Sequence, residues 1–531
     1  MTALTGTGAV VRLLLRRDRL RLAIWLLAIP ALVVLQAVAV LGVYPDDAAI
    51  RAYVELFGDN PALIAFAGPG YGFDDPNIGV VLVNEIQVFG CLATALMSMF
   101  LVTRHTRAEE DSERLDLIRS TVVGRHAPTA AAVAVIAALN VAIGLACALG
   151  AIALGFPAAG SLALGGSFTA VGLVFAGATA VAAQVAGGSR GALGLAGMLL
   201  AAAFVVRAAG DIGGTGLSWL SPIGWAQAVR AYADERWWTL LLCAAVAVAL
   251  VAVAFRLSTM RDLGSGLRAQ RAGPPAAAGW LARPAGLAFR LQRGALAGWL
   301  VGMFLMGVVF GSLGEDVDRL LEENPAMADF FAQLEGTTIT DSFLATSLMM
   351  LALVAGGFAV SSALALRGEE GAGRLEAILA GAVGRSRWAA GHLLVACAGT
   401  VLAVAAAALG LGVAYAVVSG DPGQVLRLLG AGLVSAPAVL VLVGVTVLLF
   451  GLVPRAAPAA WGALVAMFLV GYFGELLRLP GWARGLSPLE HLPRAPAEPV
   501  AVAPVIAVTA LAAALIAVGL AALRRRDIRL Q

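Results

Sequence analysis

After its second long apolar run the chain reads Arg107-Ala-Glu-Glu-Asp-Ser-Glu-Arg-Leu-Asp-Leu-Ile-Arg-Ser-Thr-Val-Val-Gly-Arg125. After its eighth it reads Arg367-Gly-Glu-Glu-Gly-Ala-Gly-Arg-Leu-Glu-Ala-Ile-Leu-Ala-Gly-Ala-Val-Gly-Arg385. The two align without gaps, nine of 19 positions are identical, and Asp116 against Glu376 keeps its charge. Fainter echoes keep the same order. Arg16, Arg19 and Trp25 answer Arg290, Arg293 and Trp299; Asn60-Pro61-Ala62 answers Asn324-Pro325-Ala326. Ser221-Pro222 answers Ser487-Pro488, and Arg261-Asp262-Leu263 answers Arg526-Asp527-Ile528. Matches in one order at nearly one offset mean a unit written twice, so the architecture follows from what one unit contains.

Each unit is mostly apolar. Of 531 residues, 60% are hydrophobic and 13% charged, against roughly 25% charged in a soluble domain. Such a deficit excludes a soluble or disordered chain. Apolar stretches near the length of a bilayer crossing fall at 22–44, 79–103, 128–156, 161–187, 190–208 and 237–256. A second six fall at 294–314, 342–366, 389–418, 425–452, 459–475 and 499–523. With both ends inside, 27 arginines lie on the inner side and 9 on the outer, and shifting the count by one span reverses the bias. The expectation is an all-α integral membrane protein with 12 transmembrane helices as two parallel six-helix repeats and both termini cytoplasmic. The halves are 1–263 and 280–531. A linker at 264–279 carries Gly264, Gly266, Gly273, Pro274 and Pro275.

The composition also limits the chemistry. All 36 residues in the Lys+Arg count are arginine. Without lysine the chain has no P-loop phosphate clamp, no Schiff base and no kinase-type ATP lysine. Cys91, Cys147, Cys243 and Cys397 sit singly in apolar stretches, and the four histidines are scattered, so neither disulfide nor metal spacing is present. No catalytic constellation, metal site, cofactor or nucleic-acid partner is expected of this chain.

The charged segment has helical spacing. Glu109, Glu113 and Asp116 fall four and three apart, on one face of a continuous helix. Glu110 precedes Arg114 by four and Glu370 precedes Arg374 by four, the favourable direction for an intrahelical pair. Leu115, Ile118 and Val122, and likewise Leu375, Ile378 and Ala382, would form an apolar stripe. Upstream, Val10 to Leu22 mixes apolar residues with arginines, as either an amphipathic interfacial helix or a positive-inside anchor.

On these residues the chain resembles the permeases of type-2 ABC exporters. It is most similar to the fused, twelve-span actinobacterial group that exports polyketide antibiotics of the tetronasin type. The resemblance covers nearly the whole chain. It implies that each charged segment is a coupling helix docking on a separately encoded ABC ATPase, two copies in all, with ATP and Mg on the partner. Glu109, Glu110, Glu113, Arg114 and Asp116 would meet one ATPase subunit. Glu369, Glu370, Arg374 and Glu376 would meet the other. The family often has glycine before the Arg/Thr-Leu-Glu element; Gly373 keeps it, and Glu113 replaces it. Substrate would pass between the halves, and efflux of hydrophobic or amphiphilic compounds is the implied activity.

Polar residues inside spans are costly and mark functional candidates. Asn84, Glu85 and Gln87 lie in the outer third of the second span, where Glu85 would favour cationic amphiphiles in the substrate pathway. Gln36, Asn140 and Gln184 read as interhelical hydrogen-bonding residues. The loops at 45–78 and 315–341 are long enough for short helices over the exterior mouth, and Gly68-Pro-Gly-Tyr-Gly72 reads as a turn. The alternative function is a proton-coupled secondary multidrug transporter. The short basic motif of the major facilitator loop is missing, and the acidic-basic segment stands in its place.

Overall fold

The computed structural model describes residues 3–58, 61–262, 264–267, 276–314, 339–473 and 480–527, all helix and connection with no strand among them. Leu263, Asn60, Asn324-Pro325-Ala326, Ile528, most of the second long loop and Gly273 to Pro275 of the linker lie outside the described residues. The chain divides into two compact units, Met1–Gly273 and Pro274–Gln531.

The first unit contains α1 (Thr7–Val43), α2 (Asp47–Gly58), α3 (Pro61–Ala67), α4 (Ile78–His105), α5 (Arg107–Asp111) and α6 (Arg114–Arg119). It continues with α7 (Ala127–Ala153), α8 (Ala158–Val185), α9 (Ser189–Ile212), α10 (Pro222–Gln227) and α11 (Trp238–Thr259). The second contains α12 (Pro284–Ser312), α13 (Ile339–Gly371), α14 (Arg374–Leu379), α15 (Arg385–Ser419), α16 (Gly423–Leu433), α17 (Ala436–Leu452), α18 (Ala460–Phe473) and α19 (Val502–Arg525).

Among the described residues, twelve helical stretches are long and apolar enough to cross a membrane. In each unit the second and fourth crossings are the most buried, while the first, fifth and sixth turn most of their surface outward. An apolar helix needs either protein or lipid on every side, so the outer crossings expose residues such as Leu27, Leu35, Leu241 and Val253. Small residues let the backbones meet. A methyl group added at Gly165 would lie 2.1 Å from the Gly144 carbonyl, and one at Gly307 would lie 2.0 Å from the Ala407 carbonyl.

The tenth crossing is one apolar run in sequence and two helices in space, α16 and α17. Pro437 lies in the first turn of α17. It has no N–H to donate, and its ring would clash with the carbonyl of Leu433 in a continued helix, so the turn at Val434–Ser435 is the resolution. The first helix also departs from regularity. Asp18 has φ −108° and ψ 17° inside α1. Val10, Leu14, Asp18 and Leu22 form its buried face at four-residue spacing.

Candidate functional site

The segment after the second crossing is not one continuous helix. In the first unit α5 ends at Asp111 and α6 begins at Arg114; between them Glu113 is left-handed, φ 57°. In the second, the aligned Gly373 has φ 68° and precedes α14. Glycine adopts this conformation freely, whereas an L-residue there costs about 1 kcal/mol. The break removes the face expected for Glu109, Glu113 and Asp116 and rotates the four-residue pairs apart. Glu110 does not pair with Arg114, nor Glu370 with Arg374. The apolar stripe is also shorter than expected. Leu115 and Leu375 are buried, but the helices end at Arg119 and Leu379, so Val122 and Ala382 are exposed.

The acids before each break face inward. In the first unit Arg107 has no exposed surface. It donates to Glu110 (2.7 Å) and to the carbonyls of Gly187 (2.8 Å), Ser265 (2.9 Å) and Gly264 (3.0 Å). Arg261, beyond the end of α11, grips both oxygens of Glu110 in a bidentate pair and donates from Nε to Gln184 (2.7 Å). Glu109 is buried against Arg17 of α1 at 2.8 Å. Next to Arg17 in α1, buried Asp18 accepts from Arg104 (2.9 Å) and lies 3.6 Å from the His105 ring. The side chain of Asp111 caps the start of α9 by accepting from Ser189 N at 2.7 Å.

The second unit repeats part of this. Arg526 follows α19 as Arg261 follows α11, and it reaches Glu370 at 2.7 Å. Arg385 donates to the carbonyl of Arg526 (2.8 Å), as the aligned Arg125 donates to Ser258 (2.7 Å) and Arg261 (3.3 Å). Glu369 is held by Arg374 of the same segment at 2.9 Å, and Arg374 is 49% exposed.

The residues after each break face outward. Glu113, Arg114, Asp116 and Glu376 are exposed, and none has a side-chain partner among the described residues. The nine expected coupling residues therefore fall into two rows. Glu109, Glu110, Glu369 and Glu370 are occupied within their own unit, Arg374 spans both rows, and the remaining four are available to another molecule.

The expected pathway residues are brought together only in part. Asn84 accepts from the Tyr53 hydroxyl at 2.7 Å, and Gln87 donates to the Ala226 carbonyl at 3.0 Å, both buried. Half-buried Glu85 accepts from Gln36 of α1 and from Tyr44 (3.3 Å). Within α2 Tyr53 stacks on Phe57 at 4.2 Å, and it meets Tyr44 at the end of α1 edge-on at 5.2 Å; with its bond to Asn84 this ties α2 to the ends of α1 and α4. Asn140 donates to Ser98 (2.9 Å) across α7 and α4. Gly68, Gly70 and Gly72 all have left-handed φ in a non-helical turn.

Two residues escaped the sequence. Asp18 is the lone acid among five arginines, a visible anomaly that hydropathy ignores. Arg207, one of the nine arginines assigned to the outer side, is fully buried. It donates to the Ala65 carbonyl, pairs with Asp211 at 3.3 Å and lies 4.7 Å from the Phe204 ring centre.

A family model described as the C-terminal domain of the multidrug efflux system permease Rv1217c matches residues 281–524. Across 529 residues, 99% of this chain and 96% of the relative, the sequence is 41% identical to the multidrug efflux system permease protein Rv1217c of Mycobacterium tuberculosis (strain ATCC 25618 / H37Rv).

Proposed function

The chain belongs to the family of multidrug efflux system permeases, and from that premise we propose that it is the membrane-spanning part of an ATP-driven ABC exporter. It is a multi-pass cell-membrane protein. In this reading two separately encoded ATPase subunits dock on the inner face, one at Glu113, Arg114 and Asp116, the other at Arg374 and Glu376. Hydrophobic and amphiphilic compounds, polyketide antibiotics among them, are moved outward across two six-helix repeats whose termini are cytoplasmic.

The observation that carries the reading is the exposed acidic-basic row after a left-handed break, found at aligned positions in both units. Ion pairs behind each row tie it to helices of its own unit, α1 and the end of α11 in one and the end of α19 in the other. A displacement of the row is thereby passed to the crossings. The chain has no lysine for a P-loop of its own, which supports the reading that the ATP chemistry lies on another chain. At the other end of α4, Glu85 with Gln36 and Tyr44 offers a hydrogen-bonding step for a cationic amphiphile. Its test is Glu85→Gln, with loss of transport for cationic but not neutral substrates.

The decisive experiment reconstitutes the full chain with the ATPase encoded beside it. Transport and ATP hydrolysis are followed for the wild type and for Asp116→Ala combined with Glu376→Ala. Substrate-stimulated hydrolysis should fall at least tenfold while the protein keeps its unfolding temperature. Transport driven by a proton gradient alone, or a double variant with intact coupling, sinks the proposal.

A further inference from the structure

The second unit has a cavity of about 990 Å³ where α13, α17 and α19 all end. Its wall includes Arg367, Arg455, Arg526, Glu370, Leu452 and Val453. We propose that this cavity is a binding site for the phosphate of an anionic membrane lipid, with the acyl chains lying along the exposed Leu452 and Val453. The proposal rests on the cell-membrane location of the chain and not on the docking of an ATPase.

Three observations converge on it. The first is unused positive charge. Arg367 and Arg455 are exposed and have no hydrogen-bond or ion-pair partner among the described residues. Arg526 is mostly buried and pairs with Glu370, yet its Nε–H is buried without an acceptor. Asp527 also lines the cavity, so three arginines stand against two acids, one of them already neutralised by Arg526.

The second is the contrast with the aligned place in the first unit. There both terminal nitrogens of Arg107 are spent on Glu110 and three backbone carbonyls, and its Nε lies 3.6 Å from the Asp111 carboxylate. The aligned Arg367 has none of these acceptors among the described residues, and its fork of donors faces a cavity instead. A guanidinium in that state matches a phosphate diester, which supplies two or more acceptor oxygens and one negative charge.

The third is amphiphilic shape. Leu452 is 58% and Val453 53% exposed at the end of a crossing, beside the arginines. A soluble anion has no use for that apolar wall, whereas a lipid fills both halves. Basic pockets between membrane helices at the interface hold anionic headgroups in this way.

The test uses the delipidated full chain in detergent, titrated with phosphatidylglycerol and, separately, phosphatidylcholine under native mass spectrometry. The wild type should retain phosphatidylglycerol in preference. Arg367→Gln combined with Arg455→Gln should weaken that binding about thirtyfold, the equivalent of about 1 kcal/mol for each arginine. Arg190→Gln, at an exposed arginine of the first unit with no partner among the described residues, should leave it unchanged. Equal affinity of the wild type for the two lipids overturns the assignment and needs no variant to fold. So does undiminished binding by the double variant, or displacement of the lipid by millimolar inorganic phosphate, which makes the cavity a site for a soluble anion.

Discussion

The charged segment of the first unit is clamped from several directions, whereas its counterpart in the second is held at far fewer points. Arg17, Arg107 and Arg261 converge on Glu109 and Glu110, and Asp18 gathers Arg104 and His105 beside them. In the second unit Gln292 stands where Asp18 would align, and its side-chain oxygen accepts a hydrogen bond from Ser362. Leu364 and Ala365 stand where Arg104 and His105 would. The Glu-Glu and Arg-Leu-acid residues are shared, so the motif alone does not set the strength of the clamp. The surrounding helices do. Two segments with the same Arg-Leu-acid element can therefore differ in stiffness, because what lies behind them differs.

Breaking the clamp at its most buried point should have the largest effect. Arg107→Gln strands three carbonyls and half of a buried pair, at a cost of about 3 kcal/mol. Arg367→Gln, on the exposed counterpart, should stay within about 0.5 kcal/mol. Thermal unfolding of the purified chain compares them, and equal losses would erase the difference between the units.

Asp18→Asn comes next. It leaves Arg104 without its carboxylate and should cost about 2 kcal/mol, tempered by the partial exposure of Arg104. Removing the neutral bond of the other unit with Gln292→Leu should cost about 1 kcal/mol. The reverse order would mean that the neutral pair, not the ionic one, anchors its helix.

The left-handed position separates the units more finely. Glu113→Gly relieves an unfavourable φ and pays back part of the gain in unfolded-chain entropy, for a net stabilisation of about 0.5 kcal/mol. Gly373→Glu should shift stability by a similar amount in the opposite direction. If both substitutions destabilise, Glu113 owes its conformation to contacts rather than tolerating it.

The smallest expected change in stability belongs to the outer row. Asp116→Ala and Glu376→Ala should each change the unfolding free energy by less than about 0.5 kcal/mol. A large loss for either one would show that its carboxylate serves the fold rather than a partner.

The crossings were legible because a bilayer selects on something a sequence displays directly, a run of about 20 apolar residues. The two charged segments were legible as a repeated order of charges. What the chain does with those charges was not. Glu109 meets an arginine 92 positions away and Glu110 one 151 positions away, and neither distance leaves a local periodicity. The four-residue pairs were plausible only while the helix was continuous. The alignment of Glu113 with Gly373 was the one visible sign that it is not, since glycine at a fixed place in a helical pattern usually marks a left-handed turn. Pro437 announced the broken tenth crossing just as plainly, although hydropathy runs straight through it.

The arginines that close each unit also bear on the order of synthesis. Glu110 is made 151 residues before Arg261, and Glu370 is made 156 residues before Arg526. Each carboxylate leaves the ribosome long before its bidentate or single-point partner exists, with four further crossings still to be inserted. The pair closes only when the sixth crossing of that unit has been threaded and its trailing arginine has come back to the same side of the bilayer. A unit whose sixth crossing is missing or inverted would leave Glu370 without its arginine and Glu110 with Arg107 alone, so the latch closes only on a fully inserted unit.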